Sequence, residues 1–441
     1  MNKKTENKAV SPWQWVPSLY FAQGIPYVVV MSVAVILFKC MGMSNTDIAL
    51  YTSGLNLPWV IKPLWSPLVD LLKTKRWWIV VMQILVGAGL AGIALTIQGP
   101  LAFRYCLAFM WLLAFSSATH DIAADGFYML GLNEKKQAYF VGIRNTFYRF
   151  AVIFGQGILV MFAGWLEQRY AREMPETAAI PQAWSLTFYL LTILFALLFV
   201  YHYLFLPHPR RDTCTLPPQQ ASAGRVFKEF LGTFTSFFQK KHIVSALIFI
   251  LLYRFAEAQL VKITSPFLLD TPATGGLALS TAEVGFIYGT IGVIALTIGG
   301  IVGGIAMARR GLKSCLWTMT IAMNLPNIVY LYLSFARPES IGIISGCVAI
   351  EQFGYGFGFT SLTYFMMLFS NGKHQTAHYA ICTGFMALGL MLPGMISGWI
   401  EESIGYRAFF VWIMLCTIPS FWATHLVRKN LTDNHSDNSS R

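Results

Sequence analysis

The chain has 441 residues, of which 56% are hydrophobic and only 12% are charged, and its mean hydropathy is +0.55. Because about a quarter of the residues in a soluble globular domain are charged, this composition excludes such a protein and indicates an integral membrane protein. The formal net charge of +12 could suggest a nucleic-acid partner, but the distribution of the charges along the chain argues against one.

Long apolar segments recur along the whole chain. A helix that crosses a bilayer needs about 20 mostly apolar residues, whereas a β-barrel shows short segments of alternating hydrophobicity. The sequence therefore predicts an all-α membrane protein with twelve transmembrane helices in two pseudo-symmetric six-helix bundles. The predicted spans are residues 17–38, 46–69, 77–97, 101–127, 140–166, 184–206, 242–265, 280–307, 313–335, 340–369, 376–400 and 406–427.

The basic residues indicate the orientation of these spans. With the N-terminus inside, the inner loops and tails carry 21 of the 32 Lys and Arg residues, the outer loops carry 6 and the spans carry 5. Such an excess marks the cytoplasmic side, so both termini are predicted to be cytoplasmic and nothing points to nucleic acid. The seven cysteines contain no C-x-x-C pair, which indicates neither a disulfide framework nor a metal site, and we expect no cofactor.

A polar, basic segment divides the twelve spans into two sets of six. We predict a cytoplasmic tail at 1–16, an N-terminal bundle at 17–206, a cytoplasmic linker at 207–241, a C-terminal bundle at 242–427 and a cytoplasmic tail at 428–441. The loops after the second and eighth spans are both basic, and both resemble the major-facilitator loop motif G-x-x-x-D-R-x-G-R-R. In the first copy, Asp70, Lys73 and Arg76 are expected to act in gating. Two such halves enclose a site near the membrane midplane.

Charged side chains cluster in the N-terminal spans, where ionisable groups need a partner or a function. Asp121 and Asp125 share a face of the fourth span, Arg144 and Arg149 begin the fifth, and Lys62 lies low in the second. Opposite charges at similar depth attract strongly in a low dielectric. We interpret Asp125 and Arg144 as a structural ion pair, and Asp121 and Arg149 as groups that face a cavity.

Further polar residues accompany these charges. Gln23 and Tyr27 share a face of the first span, while Asn145 and Gln156 share that of Arg149. The predicted substrate-binding residues are Arg149, Lys62, Gln23, Tyr27, Asn145 and Gln156. His120 has two interpretations, a hydrogen-bonded core histidine or a group that titrates together with Asp121.

The C-terminal spans hold fewer charges. Arg254 and Glu257 are three residues apart and can pair, which would make Arg254 structural, as Arg144 is in the other half. Glu351 has no cation on its own helix, so it is either a proton-binding carboxylate or a cross-helix partner of Arg254. Lys262 is expected to extend its ammonium to the outer surface. The predicted proton-coupling residues are Asp121, Asp125, Glu351, His120 and Glu257.

Several stretches resemble a known family. "FAQGIP", "KPLWSPLVD", "FSSATHDIAADGF", "FYRF" and the region from "EQFGYGFGF" onward are similar to the AmpG-type muropeptide permeases, a major-facilitator branch also related to acetyl-CoA transporters. The likeness covers residues 17–427, and the acidic motif of the fourth span is its most specific part. There His120 stands where the family has Gln, whereas Asp121 and Asp125 are kept. Lys62, Asp70, Arg149 and Glu351 also stand where the family pattern has like residues, while Arg144 is not required by it.

The resemblance implies a proton-driven importer in a bacterial inner membrane, with muropeptides or anhydro-disaccharides from peptidoglycan as cargo. The alternatives are another amino sugar, sialic acid or a glycan fragment, or a lipid or acyl-CoA. We expect a monomer that works by alternating access. An intramembrane aspartyl protease is disfavoured because its two Asp residues face each other from different helices, whereas Asp121 and Asp125 share one. A receptor or scramblase on the same fold remains a third interpretation.

Overall fold

The computed structural model describes residues 11–209, 212, 232, 234–371 and 375–439. We label its main helices α1 to α12, and they occur where the twelve spans are predicted. α1 is Pro12–Cys40, α2 is Asn45–Gly54 with Leu57–Leu72, α3 is Lys75–Thr96, α4 is Ala102–Gly131, α5 is Glu134–Val152 with Ile153–Leu159 and Val160–Tyr170, α6 is Glu176–Phe205, α7 is Ile243–Leu252 with Phe255–Leu269, α8 is 281–310, α9 is 312–336, α10 is Ile341–Ser370, α11 is 375–404 and α12 is 406–439.

Helix length and hydropathy support membrane crossing. Among the described residues, eight helices are long and apolar enough, and two of these are double length, with 56 and 53 residues. Each double helix breaks at a glycine with positive φ, Gly311 at 72° and Gly405 at 76°. Glycine adopts this left-handed conformation without the steric cost of a Cβ atom. Both breaks fall in predicted loops, so the two long helices count as four spans, and α2 and α10 occupy the other predicted positions.

Polar side chains determine where several of these helices begin. Ser44 and Thr74 each accept a hydrogen bond from the backbone N–H three residues later, which caps α2 and α3. Ser280 and Glu283 form a reciprocal capping box at the start of α8. Such caps satisfy backbone donors that have no partner in the first helical turn.

The described contacts divide the chain into two compact units, each discontinuous in sequence. Unit 1 comprises Met1–Val28, Trp65–Val152 and Ser185–Gln220, and unit 2 comprises Val29–Leu64, Ile153–Trp184 and Ala221–Arg441. Unit 2 thus contains the predicted outer ends of α1, α2 and α5 as well as the C-terminal spans. The boundaries at 206 and 242 remain a prediction, and most of the linker at 207–241 lies outside the described residues.

Close helix packing in unit 2 depends on glycines. A Cβ atom at Gly289 in α8 would lie 2.0 Å from the carbonyl oxygen of Gln156 in α5, and one at Gly164 would lie 2.4 Å from the backbone nitrogen of Ala282. A Cβ atom at Gly398 in α11 would lie 1.9 Å from the carbonyl oxygen of Asn45 in α2. Small residues allow membrane helices to approach this closely. These contacts join helices from both halves of the sequence.

The α5–α8 contact gives a test of this packing. Gly289→Ala is expected to lower the stability of the protein by about 1–3 kcal/mol, because the new methyl group forces two backbones apart. Gly304→Ala in the same helix is the matched control, since a Cβ atom there meets nothing within 4 Å and alanine favours helix. Thermal unfolding of the purified variants measures both effects. Equal stability of the two variants would contradict the packing described.

Candidate functional site

The structure pairs Asp125 with Arg144 in unit 1. Arg144 Nη1 lies 3.3 Å from Asp125 Oδ1 and donates to the Tyr20 hydroxyl at 3.1 Å, and Tyr20 in turn donates to Asp125 at 3.0 Å. The guanidinium also lies over the Tyr20 ring, 4.6 Å from its centroid, and 5.3 Å from that of Tyr128. The carboxylate, the hydroxyl and the cation form a closed triangle that joins α1, α4 and α5.

Asp121 lies one helical turn from Asp125 on α4 and has a different partner. Gln23 of α1 donates its amide N–H to Asp121 Oδ1. Asp121 is half-buried, whereas Gln23 is buried and its own carbonyl oxygen has no hydrogen-bond partner among the described residues. Asp125 thus contacts Tyr20 and Arg144, and Asp121 contacts Gln23, so both aspartates of the motif bond to side chains of α1.

His120 lies on the buried side of α4, within a chain of neutral polar groups. Its Nε2 is 3.2 Å from Gln83 Nε2 in α3, and Gln83 also contacts His202 Nδ1 in α6 at 2.8 Å. His202 Nε2 lies 3.0 Å from Ser18 Oγ in α1. This arrangement corresponds to the hydrogen-bonded core histidine. The chain links four helices of unit 1.

The remaining predicted substrate residues vary in burial. Tyr27 is half-buried, with its ring centroid 6.4 Å from that of Tyr148, while Arg149 is half-buried and Asn145 is exposed. Gln156 is buried in the π-helical turn Ile153–Leu159. A π-helix has a wider turn than an α-helix, so the seven-residue spacing that placed Gln156 on the face of Arg149 does not hold there. Lys62 is half-buried in unit 2.

Hydrogen bonds at the basic start of α3 connect the ends of helices in unit 1. Arg76 donates to the carbonyl oxygens of Leu206, at 3.2 Å, and Tyr203 at the C-terminal end of α6. Asp212 accepts from the backbone N–H groups of Lys75 at 2.7 Å and Arg76 at 3.1 Å. A cation at the C-terminal end of a helix and a carboxylate at the N-terminal end of a helix both interact favourably with the helix dipole. Lys73 is exposed, 6.0 Å from the Trp77 ring, and the Asp70 side chain lies outside the described part.

Unit 2 contains two buried carboxylates, Glu351 and Glu257. Glu351 is 2% exposed, and its Oε2 accepts from the Tyr330 hydroxyl at 3.1 Å and from Gln352 at 2.9 Å. Its Oε1 has no partner among the described residues, nor has Oε2 of Glu257, which is 3% exposed. The two carboxyl groups are close enough to interact electrostatically. Each buried atom without a partner in a native structure needs an explanation.

Neither carboxylate is bonded to Arg254 among the described residues. Arg254 instead donates to the Tyr355 hydroxyl, and its guanidinium lies 4.9 Å from the ring centroids of both Tyr355 and Phe359. The predicted pair between Arg254 and Glu257 assumes a continuous helix. Arg254 has non-helical φ and ψ just before Phe255–Leu269, so the three-residue spacing does not bring the two side chains together. The cross-helix bond to Glu351, one of the two predicted alternatives, is also absent among the described residues, where Tyr355 and Phe359 hold the guanidinium instead.

The prediction for Lys262 is wrong. Lys262 is only 5% exposed, whereas an ammonium that reaches the outer surface would leave the end of the side chain in water. The reason is tertiary packing, since α7 lies against α11, α2 and the outer part of α1. The sequence could not show which face of α7 these helices cover.

Sequence reasoning also missed a group of residues in unit 2, which we call the outer cluster: Lys39, Asn45, Asp270, Glu401 and Tyr406. Lys39 Nζ lies 2.7 Å from Asp270 Oδ1 and donates to Asn45 Oδ1 at 2.8 Å. Asn45 donates to Glu401 at 2.6 Å and to the Tyr406 hydroxyl at 2.8 Å, and Tyr406 donates to Asp270 at 2.5 Å. The sequence feature that these residues share is their proximity to predicted outer loops, and it does not show which of them bond to one another.

A polar cavity of about 330 Å³ adjoins the outer cluster, and its lining includes Lys39, Cys40, Glu167 and Asp270. Within the described ranges, the chain has no group of three or more His, Cys, Asp or Glu side chains that could hold a metal ion. The side chains described at these sites offer carboxylates, amides, hydroxyls and cations, which can bind polar groups.

Two relatives align with nearly the whole chain. A transporter named AmpG 4 from Rickettsia conorii is 25% identical over 415 residues, which cover 92% of this chain and 93% of the relative. The anhydromuropeptide permease of Escherichia coli is 24% identical over 420 residues, which cover 94% of this chain and 79% of the permease. The sequence resemblance to AmpG-type permeases is thus confirmed.

Solved structures share the fold at low sequence identity. The nucleoside transporter NupG has a TM-score of 0.68 at 15% identity, with 94% of this chain and 98% of that chain covered. A D-xylose-proton symporter has a TM-score of 0.68 at 12% identity, with 94% and 96% covered. The model of the Major Facilitator Superfamily matches residues 18–375. The predicted twelve-helix fold is confirmed, and this chain is a multi-pass membrane transporter that belongs to the Major Facilitator Superfamily.

Proposed function

We propose that this protein imports a peptidoglycan-derived muropeptide or anhydro-disaccharide across a bacterial inner membrane, driven by protons. The observation that carries the proposal is the alignment of 94% of the chain with a relative named anhydromuropeptide permease. The relative named a D-xylose-proton symporter supports proton coupling to a sugar-containing solute. We further propose that the protein acts as a monomer with both termini in the cytoplasm, in agreement with the distribution of its basic residues.

The proposed cargo site uses polar groups of the N-terminal spans. A guanidinium binds a carboxylate through two parallel hydrogen bonds, so Arg149, together with Lys62, is assigned to an anionic group of the cargo. Gln23, whose carbonyl oxygen lacks a partner among the described residues, and Tyr27 would form hydrogen bonds with sugar hydroxyls and amides. Asn145 and Gln156 complete the proposed set.

Protons are assigned to carboxylates in both halves of the chain. Glu351 is buried and accepts only from the neutral side chains of Tyr330 and Gln352 among the described residues, and Glu257 is buried without a salt bridge to any of them. Asp121, which accepts from Gln23, is assigned to proton coupling as well, with the cargo competing for Arg149. Asp125, by contrast, is paired with Arg144 and fits a structural role, as does the His120 chain.

We assign to the outer cluster the role of keeping the transporter closed on its predicted outer side. It bonds the ends of α1 and α2 to α7 and α12 within unit 2. In alternating access, one half of a transporter rocks against the other around a central site. Rupture of these bonds would accompany opening to the outside, and their formation would accompany release of cargo to the inside.

Uptake by purified protein in proteoliposomes tests the proposed cargo. We would compare labelled anhydromuropeptide, N-acetylmuramic acid and sialic acid, each with and without an inward proton gradient. Uptake of anhydromuropeptide that a protonophore abolishes is expected. Uptake of sialic acid alone would favour the first alternative, and absence of uptake for all three by folded protein would refute the proposal and direct attention to lipid or acyl-CoA cargo.

A further inference from the structure

A buried lysine in α7 lacks a partner among the residues that the structure describes. Lys262 is 5% exposed, and within the described ranges it forms no hydrogen bond and no salt bridge. An ammonium without a counter-ion in a membrane span is costly, and such residues mark binding sites or ion pathways. The other buried cation of this span, Arg254, differs because Tyr355 and Phe359 hold its guanidinium.

A hydroxyl group without a partner adjoins Lys262 on α7. Ser265 lies one turn after Lys262 on the same face, is 3% exposed and makes no hydrogen bond to any described residue.

One turn of α7 therefore carries an ammonium and a hydroxyl group, and both are hydrogen-bond donors without an acceptor among the described residues. A carboxylate accepts several hydrogen bonds at once, so it fits this pair of donors better than a neutral group does.

We propose that Lys262, with the hydroxyl of Ser265, binds a carboxylate group of the cargo in the predicted outer half of the path. The inference rests on the proposed function as an importer of acidic sugar-containing solutes. It adds a recognition point in the C-terminal bundle to the arginine proposed in the N-terminal bundle. A cargo with a free carboxylate is accepted, and a neutral sugar is discriminated against at this point.

The test compares uptake of anhydromuropeptide with that of its carboxyl methyl ester in proteoliposomes of the full chain. Lys262→Met keeps the length of the side chain but removes the charge, and replacing a buried charge by an apolar group is often neutral or stabilising, so the variant should fold. It is expected to raise KM for the acid by about 10- to 150-fold, the loss of a hydrogen bond to a charged group. KM for the ester and the maximal rate should stay unchanged, and Lys262→Arg should restore part of the affinity.

Lys313→Met at an exposed position is the matched control and should leave both KM values unchanged. An equal rise in KM for acid and ester, or no rise for either, would overturn the inference. If wild-type protein transports neither compound, the proposed function fails instead. Thermal stabilisation by N-acetylmuramic acid then decides separately: a shift for wild-type protein that is absent from Lys262→Met supports the carboxylate site, and no difference between them refutes it.

Discussion

Glu351→Gln is expected to abolish proton-driven accumulation of cargo, down to the level seen without a gradient, while exchange of cargo across the membrane continues. Glutamine keeps the shape of glutamate and can still accept hydrogen bonds from Tyr330 and Gln352, but it cannot bind or release a proton. The second carboxylate oxygen of Glu351 has no partner among the described residues and is the atom assigned to the transported proton. Uptake with and without an imposed pH gradient, beside counterflow of labelled cargo, measures the two properties.

Two companion variants sharpen this prediction. Glu173→Gln removes an exposed carboxylate between α5 and α6 and should leave accumulation intact. Glu257→Gln should also impair accumulation, because its carboxyl group interacts with that of Glu351. When two such groups interact, the binding of a proton to one depends on the state of the other. Full proton-driven accumulation by Glu351→Gln would refute its assignment as a proton carrier and direct attention to Asp121.

Asp270→Asn is expected to favour the state that is open on the predicted outer side. The substitution removes the negative charge that pairs with Lys39 at 2.7 Å and weakens the bond from Tyr406. Hydrogen bonds to charged groups contribute about 1.5–3 kcal/mol, so the balance between closed and open states should shift by about tenfold or more.

Cys40 reports this shift, because it adjoins Lys39 and its thiol lies 3.3 Å from Thr281 Oγ1 in the closed arrangement. The experiment labels Cys40 with a membrane-impermeant maleimide in a Cys214→Ser/Cys347→Ser background. Asp270→Asn should raise the labelling rate by about tenfold or more, whereas Asp47→Asn, whose carboxylate accepts locally from Ser44, should not. Equal labelling of both variants would contradict a gating role for the outer cluster.

Hydropathy predicts the spans well for a physical reason. In the bilayer, every backbone polar group must find a partner within its own helix, so a long apolar run has few alternatives to a helix. The predicted gaps at 308–312 and 401–405 contain Gly311 and Gly405, where the two long helices break. Basic loops and the acidic fourth-span motif likewise carried information that is local to the sequence.

Partner choice depends on helix rotation and packing, which local patterns do not contain. Lys39 lies just beyond the predicted span 17–38, yet it forms an ion pair with Asp270. Lys262 is predicted to reach the surface, yet it is buried where α7 packs against its neighbours. Spacing rules also failed at irregular turns, at Arg254 because of its non-helical backbone and at Gln156 because of the π-helical turn.

Proton movement that accompanies cargo entry tests the central claim most directly. Wild-type protein would be reconstituted in lightly buffered liposomes with an internal pH indicator, and anhydromuropeptide would be added outside without any imposed gradient. The account predicts that the lumen acidifies as cargo enters, and that Glu351→Gln liposomes show no acidification. Entry of cargo into wild-type liposomes at constant internal pH would contradict proton-coupled import by this protein.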